Sequence, residues 1–220
     1  MSQPEVTGFV SDWYSKLEPA NFKDIIADPE SVGLFSADMI NGFLRTGPLA
    51  SDRVNTLTEP VVSLFSRSWD LDVREFLLLQ DTHDPETPEF NAYPSHAIVG
   101  TEESATIPEL TSLPFADRFT VIEKNSLNPA IGTIFDSWLA EHEHIKTAIV
   151  VGNCTDLCVY QLAMHLKLHA NALNLIEFNV IVPENCVNTF DTPIHPGDYF
   201  HQLFLYHMAS NGIRIVRSLT

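Results

Sequence analysis

Short apolar runs alternate along the chain with stretches in which apolar residues return at helical spacing. The apolar runs, each of which predicts a strand, cover residues 32–38, 75–81, 119–124, 148–152, 178–183 and 213–216. The helical patterns cover residues 56–68, 131–143, 156–170 and 198–210. Strands that alternate with helices favour a parallel sheet with right-handed crossovers and helices on both faces. We therefore predict a three-layer α/β/α fold whose mostly parallel, doubly wound sheet has roughly six strands.

Two segments lie outside this alternation. Residues 1–30 predict a polar, helical N-terminal lead-in. Residues 82–118 are rich in proline and show no clear periodicity, and an irregular segment of that length is usually functional or disordered. Because no linker, repeat or low-complexity segment interrupts the chain, we predict one domain over residues 1–220.

The composition argues against several kinds of partner and indicates a cellular compartment. The formal net charge of −17 argues against nucleic acid and anionic membranes, which reward basic residues. The sequence contains no apolar run long enough for a transmembrane helix and no signal peptide at its start. Three cysteines are few and odd in number, which favours a reducing, cytoplasmic location over a disulfide scaffold. The acidic charge and the apolar helix at 198–210 predict a homo-oligomer.

The most informative segment is Thr147–Cys158, which predicts a buried strand, a tight turn and the start of a helix. Thr155 is the predicted N-cap, which would make Cys158 the third residue of the helix. The helix dipole and free N–H groups would lower the thiol pKa there and make Cys158 reactive. The alternative is that Cys158 is a small buried apolar residue, as most free cysteines are.

Ionisable residues follow several of the predicted strands. The first strand ends at Asp38, the second at Asp81 and the third at Lys124, and the fourth leads to Cys158. Ligands bind beyond the carboxyl ends of the strands in an open parallel sheet, so these residues predict a site at one edge. The alternative is that charged residues end strands simply because the strands leave the core there.

These residue types predict nucleophilic chemistry. Cys158 would attack, Asp38 would take the thiol proton and return it to a leaving amine, and Lys124 would supply positive charge. The backbone N–H groups of Cys154 and Cys158 could face a developing oxyanion.

A second group of candidates lies in residues 81–96. Asp81, His83, Glu89 and His96 combine carboxylates with imidazoles at a density that suits a divalent metal ion. We predict Zn²⁺, with Fe²⁺ and Mn²⁺ as alternatives. Each residue taken alone could also be ordinary polar surface.

Five segments together resemble the isochorismatase-like cysteine hydrolase superfamily and, within it, the nicotinamidases. The matching segments are residues 37–43, 81–83, 93–101, 123–124 and 151–159. The resemblance implies an Asp38–Lys124–Cys158 catalytic triad and a metal held by Asp81, His83 and His96, with Glu89 as a further ligand.

The resemblance also implies a substrate pocket and a special peptide bond. A cis peptide would join Asn153 to Cys154, and Phe43 and Tyr93 would sandwich the pyridine ring of the substrate. Packing in the core is the alternative for Phe43. The sequence departs from the family at Tyr93, where Trp or Phe is common, and at residues 125–133, which lack an aromatic often found there.

We therefore predict a metal-containing cysteine amidohydrolase that converts nicotinamide and water to nicotinate and ammonia through a thioester. One alternative is a related hydrolase of another amide, a ureido compound or a vinyl ether. The alternative from another class is a catalytically silent binding or assembly protein. The small-molecule amide is the only partner that the leading prediction requires beyond a second copy of the chain.

Overall fold

The computed structural model describes residues 3–220, with side chains from residue 8 onward. Within that range seven strands form one sheet: β1 (Val32–Ala37), β2 (Glu75–Asp81), β3 (Thr120–Lys124), β4 (Thr147–Asn153), β5 (Asn179–Pro183), β6 (Val187–Asn188) and β7 (Arg214–Val216). The order is β3-β2-β1-β4-β5-β7, β6 pairs with β4, and every pairing between these strands is parallel. The predicted strands are confirmed. The two-residue β6 was missed because it is too short to show a periodicity.

Helices occupy most of the connections between strands. In the described residues they are α1 (Gln3–Ser15), α2 (Phe22–Ile25), α3 (Asn41–Leu44), α4 (Asp52–Asn55), α5 (Thr58–Asp70), α6 (Pro108–Thr111), α7 (Phe135–Glu141), α8 (Cys158–Ala172) and α9 (Gly197–Ser210). The pattern over 131–143 predicts a longer helix than α7, whose first turn starts only after the Thr133 hydroxyl accepts the Phe135 N–H at 3.1 Å.

The sheet separates two apolar cores, because consecutive strand residues point to opposite faces. Leu34 of β1 faces the core that contains Phe65 of α5. Its neighbour Phe35 faces the core formed with α7 and α8, where its ring lies 6.0 Å from that of Trp138. Both strand residues are fully buried. Helices therefore cover both faces, and the predicted three-layer, doubly wound α/β fold is confirmed.

The proline-rich segment 82–118 is folded against the sheet. It contains short helical turns at Pro88–Asn91 and Ala116–Arg118 in addition to α6. Leu110 and Phe115 are buried in the α5-side core. Turns of three or four residues are too short to show a helical period, which is why the sequence pattern predicts none.

The apolar surface of α9 is covered within the same chain by α1. The Tyr206 ring lies 5.4 Å from the rings of both Phe9 and Trp13. Helix α9 therefore has a partner without a second copy of the chain. None of the helices in residues 3–220 has the length and apolar character needed to cross a bilayer.

Candidate active site

The candidate residues gather where the direction of the chain connections reverses. Strands β1 and β4 are neighbours in the sheet, but the chain continues from them toward opposite edges, which leaves a crevice at their carboxyl ends. Asp38 directly follows β1, and β2 and β3 end at Asp81 and Lys124. Cys158 follows β4 after a short turn. The structure thus brings all four side chains to one edge of the sheet.

Lys124 is the cation at the centre of this group. Its Nζ lies 3.0 Å from Asp38 Oδ2 and 3.5 Å from Cys158 Sγ, and it also donates to Asp81 Oδ1. Asp38 has no exposed surface, Lys124 is 2% exposed and Cys158 is 4% exposed. Two buried carboxylates and a thiol therefore share one ammonium group. Burial of these charges is tolerable because each has an opposite charge within contact distance.

Burial and charge set the protonation of the group. Burial, together with the charge of Asp81, raises the pKa of Asp38 to about 6, although Lys124 opposes the rise. Burial opposes the charge of Lys124, but Asp38 and Asp81 outweigh it and raise the pKa of the ammonium group. At neutral pH the arrangement is an ionised Asp38 beside a charged Lys124.

The expectation of a lowered Cys158 pKa is wrong. Burial, and then the negative charge of Asp38, raises the pKa of the thiol well above its ordinary value, and Lys124 only partly compensates. The resting cysteine is therefore a thiol. It needs a base to become a nucleophile, and the adjacent carboxylate of Asp38 is available for that.

The turn before Cys158 also differs from the prediction. Thr155 does not cap the helix: its hydroxyl lies 2.8 Å from Nδ1 of buried His201. Helix α8 begins at Cys158, so this cysteine is the first helical residue and not the third. Its N–H lies in the first turn, where helix geometry provides no acceptor. The N-cap prediction fails because the hydrogen-bond partner of Thr155, His201, is distant along the chain and gives no local signal.

The close approach of β4 to β1 shapes that turn. Gly152 has a φ of +109°, and a Cβ there would strike the carbonyl of Ala37 on β1. One residue further on, the peptide bond between Asn153 and Cys154 is cis. The Asn153 amide donates to the carbonyl of Asp38 at 2.6 Å. The two catalytic candidates Asp38 and Cys158 are thus attached to segments that bond directly to each other.

The predicted metal ligands form the adjoining part of the site. His83 Nε2 lies 3.5 Å from Asp81 Oδ2 and 3.8 Å from Glu89 Oε1. Each of the four predicted ligands offers a donor atom within 4.8 Å of the others, namely Asp81, His83, Glu89 and His96. Among the described residues, Asp81 Oδ2 and His83 Nε2 are buried without a hydrogen-bond partner. Buried polar atoms normally have partners, so this donor set fits a divalent metal ion.

Hydrogen bonds on the outer side of the two imidazoles fix which nitrogen faces this cluster. His83 Nδ1 lies 2.9 Å from Asn125 Oδ1, which also accepts the Asp84 N–H. His96 Nδ1 lies 2.8 Å from the carbonyl oxygen of Pro94. Because both oxygens accept, each Nδ1 carries a proton, and Nε2 is the ring nitrogen that faces the cluster. Sequence reasoning missed Asn125, although a polar residue directly after the third strand end was a signal.

A small pocket lies over both parts of the site. Phe43 and Tyr93 are among its lining residues, and the Phe43 ring lies 5.4 Å from that of His96. Phe43 also belongs to the α5-side core, so the core alternative is true of the same residue. Leu127 lines the pocket in the segment that lacks an aromatic residue. The sequence gives no separate signal for Leu127, because the resemblance leads only to an aromatic ring in this segment.

Comparison with known proteins gives the same family as the resemblance of the sequence motifs. The sequence profile described as the Isochorismatase domain matches residues 32–218. The chain belongs to the isochorismatase domain family. Nicotinamidase 1 of Arabidopsis thaliana is 31% identical to it over 226 residues, covering 89% of each chain. This member of the isochorismatase domain family is thus a homologue of a nicotinamidase.

Solved structures agree on the fold of the family. A nicotinamidase from Bacillus subtilis superposes with a TM-score of 0.70 at 23% identity, covering 85% of this chain and 99% of that one. A pyrazinamidase of Pyrococcus horikoshii in complex with zinc gives a TM-score of 0.68 at 20% identity, with 84% and 98% covered. At these identities the likeness establishes the isochorismatase-like fold.

Proposed function

We propose that this protein hydrolyses nicotinamide to nicotinate and ammonia by way of a thioester on Cys158. The observation that carries the proposal is one shared carboxylate. Asp81 Oδ1 bonds to Lys124 of the thiol cluster, and Asp81 Oδ2 faces His83 of the metal-binding cluster. A nucleophile and an anchoring site thus lie beside one small pocket. The similarity to Arabidopsis nicotinamidase 1 supports the same substrate.

The first half of the reaction uses the thiol, its base and two N–H groups. Asp38 accepts the proton of Cys158 while Sγ forms a bond to the carboxamide carbon of the substrate. Backbone N–H groups of Cys154 and Cys158 donate to the oxyanion that forms. Asp38 then returns the proton to the amide nitrogen, the C–N bond breaks, and ammonia leaves a thioester.

The second half restores the enzyme. Asp38 takes a proton from water as the water oxygen attacks the thioester carbon. The C–S bond breaks as Asp38 returns that proton to Cys158, and the acid product loses its remaining proton to solvent and leaves as the carboxylate. Lys124 stays charged throughout, because its buried ammonium group pairs with the carboxylates of Asp38 and Asp81.

Asp81, His83, Glu89 and His96 would hold the metal ion that this function requires. The ion would supply a Lewis-acidic anchor for the ring nitrogen of the substrate. Two imidazoles and two carboxylates favour Zn²⁺, and Fe²⁺ or Mn²⁺ remain the alternatives. Phe43 and Tyr93 would contact the ring, and the apolar Leu127 would fill the place of the missing aromatic.

The test is ammonia release by the Zn²⁺-loaded protein. We expect a higher kcat/KM with nicotinamide than with an N-carbamoyl amine, and no turnover of either by Cys158→Ala. Release from the ureido compound alone would move the assignment to the related-hydrolase alternative. A correctly folded, metal-loaded protein that releases no ammonia from any amide would contradict the proposal in favour of a silent binding protein.

Two further predictions belong to this proposal. We propose a reducing compartment such as the cytoplasm, and the absence of disulfides among the three cysteines supports it.

We also propose a homo-oligomer, although the apolar face of α9 that motivated it packs on α1. Sedimentation velocity checks the second prediction, and a monomer at micromolar concentration would contradict it.

A further inference from the structure

A second cluster of metal-binding side chains lies in the helical layer formed by α7 and α8. It consists of Asp136 in the first turn of α7 and of His165 and His169 in α8. One donor atom of each lies within 4.8 Å of the other two. The reaction proposed above uses none of these three side chains.

Helix geometry places the two histidines together. They are four residues apart in α8, and residues at that spacing lie on the same face of a helix, one turn apart. A pair of histidines with this spacing can bind a single ion. The ring centroids lie 6.2 Å apart, with an angle of 33° between the planes.

The third donor is already held against the first histidine. His165 Nε2 lies 2.7 Å from Asp136 Oδ1. The His165 ring also packs 5.7 Å from the ring of Phe135, which is fully buried and adjacent to Asp136 in sequence. The His165 side chain is only 20% exposed. The core beneath it therefore positions the His165 ring, and the Asp136 carboxylate reaches that ring from the first turn of α7.

The distances suit an ion after a small adjustment. Donors around a tetrahedral Zn²⁺ with bonds of about 2.0–2.2 Å lie roughly 3.3–3.5 Å apart. The 2.7 Å contact would have to open, and any wider pair in the cluster would have to close by about 1 Å. The Asp136 side chain is 58% exposed and is free to rotate by that amount. Two imidazoles and one carboxylate favour Zn²⁺, Ni²⁺ or Cu²⁺ over Mg²⁺ and Ca²⁺.

We propose that Asp136, His165 and His169 form a second, weaker binding site for a Zn²⁺-class ion that joins α7 to α8. Three protein donors leave positions for water, so this site should bind less tightly than the buried cluster with four. The histidines lie seven and eleven residues after Cys158, which is about 10–16 Å along the helix. The ion would therefore stabilise the folded chain by mass action without touching a substrate at Cys158.

The experiment is a count of bound Zn²⁺ by equilibrium dialysis and elemental analysis of the full chain. We expect two saturable steps for the wild type. His169→Gln should lose only the weaker step, Asp136→Asn should shift it to higher Zn²⁺ concentration, and both should keep the basal amidase activity. His207→Gln, at an exposed histidine of α9, is the matched control and should keep both steps.

Thermal unfolding supplies a second readout. Excess Zn²⁺ should raise the Tm of the wild type by more than that of His169→Gln, while the two should share one Tm without added Zn²⁺. A double variant, His83→Ala with His96→Ala, should still bind an ion that depends on His169. Zn²⁺ binding by His169→Gln that equals wild-type binding in both number and affinity would overturn the proposal. A wild type that binds a single ion, lost in His169→Gln, would instead contradict the buried site of the proposed function.

Discussion

The two sides of the pocket compensate buried charge in different ways. The thiol side is formed by Asp38, Lys124 and Cys158, and the imidazole side by His83, Glu89 and His96. On the thiol side a protein cation is present, because Lys124 contacts both Asp38 and Asp81. Asp38 Oδ2 lacks a hydrogen bond, but it lies 3.0 Å from the Lys124 ammonium group. On the imidazole side, Asp81 Oδ2 and His83 Nε2 are buried without a hydrogen-bond partner among the described residues and face each other at 3.5 Å.

This difference indicates which part of the chemistry the chain supplies by itself. The thiol side is complete: nucleophile, base and counter-charge are all side chains in contact. The imidazole side supplies only oriented donor atoms, two imidazoles and carboxylates held close together, which is the donor set expected of a metal site. The two sides meet in Asp81, so a change at that carboxylate should affect both sides, whereas a change confined to one side should not.

Replacing Cys158 with Ala should give the largest effect. The thioester cannot form, so we expect kcat on nicotinamide to fall by at least about 10⁴-fold. Binding of Zn²⁺ should not change, because Cys158 contacts none of the imidazoles. Stopped ammonia assays and elemental analysis check the two halves of this prediction. Retained turnover would remove Cys158 as the nucleophile.

Asp38→Asn should give the next largest effect. Loss of the base should lower kcat by about 10²–10⁴-fold. The pH profile gives the sharper test. Asp38 must be ionised to accept the thiol proton, and its pKa is raised to about 6, so wild-type activity should fall as the pH drops below about 6. That acidic limb should be absent from the residual activity of Asp38→Asn, and an unchanged limb would assign it to another group.

The two sides also differ in how far the sequence could predict them. Asp38, Asp81 and Lys124 end apolar runs that are easy to recognise, and parallel strands necessarily bring their carboxyl ends to one edge. The fold followed from the same alternation of runs. The thiol pKa could not be predicted, since it depends on burial and on the distances to Asp38 and Lys124. Local sequence shows only the helix start, which has the opposite effect on that pKa.

The supporting residues were harder still. Asn125 and Thr155 act through partners that lie 42 and 46 residues away in sequence. A polar residue with a local hydrogen-bonding option, such as a cap, gives no sign that it will use a distant partner instead. The metal ligands themselves could be proposed because carboxylate and imidazole are concentrated in one loop. Their roles, like the single-domain assignment, remain predictions.

Asn125→Ala tests the imidazole side through its outer hydrogen bond. The His83 ring would lose the acceptor that holds Nδ1, so we expect the affinity for Zn²⁺ to fall by about 10–100-fold. Titration against a competing chelator measures this change. Asn128→Ala, in the same loop but with its amide directed toward Gln161, is the matched control and should keep the affinity of the wild type. Wild-type affinity for Zn²⁺ in both variants would show that His83 is oriented without Asn125.

Tyr93→Ala should give the smallest effect, because Tyr93 lies at the half-exposed wall of the pocket and has no part in the proposed proton transfers. Loss of an aromatic contact worth about 0.5–1.5 kcal/mol should raise KM for nicotinamide by about 2–12-fold with little change in kcat. Tyr93→Phe keeps the ring and should keep KM. If Tyr93→Phe instead raised KM as much as Tyr93→Ala, the hydroxyl and not the ring would bind the substrate, and the departure from the usual Trp or Phe would have a specific function.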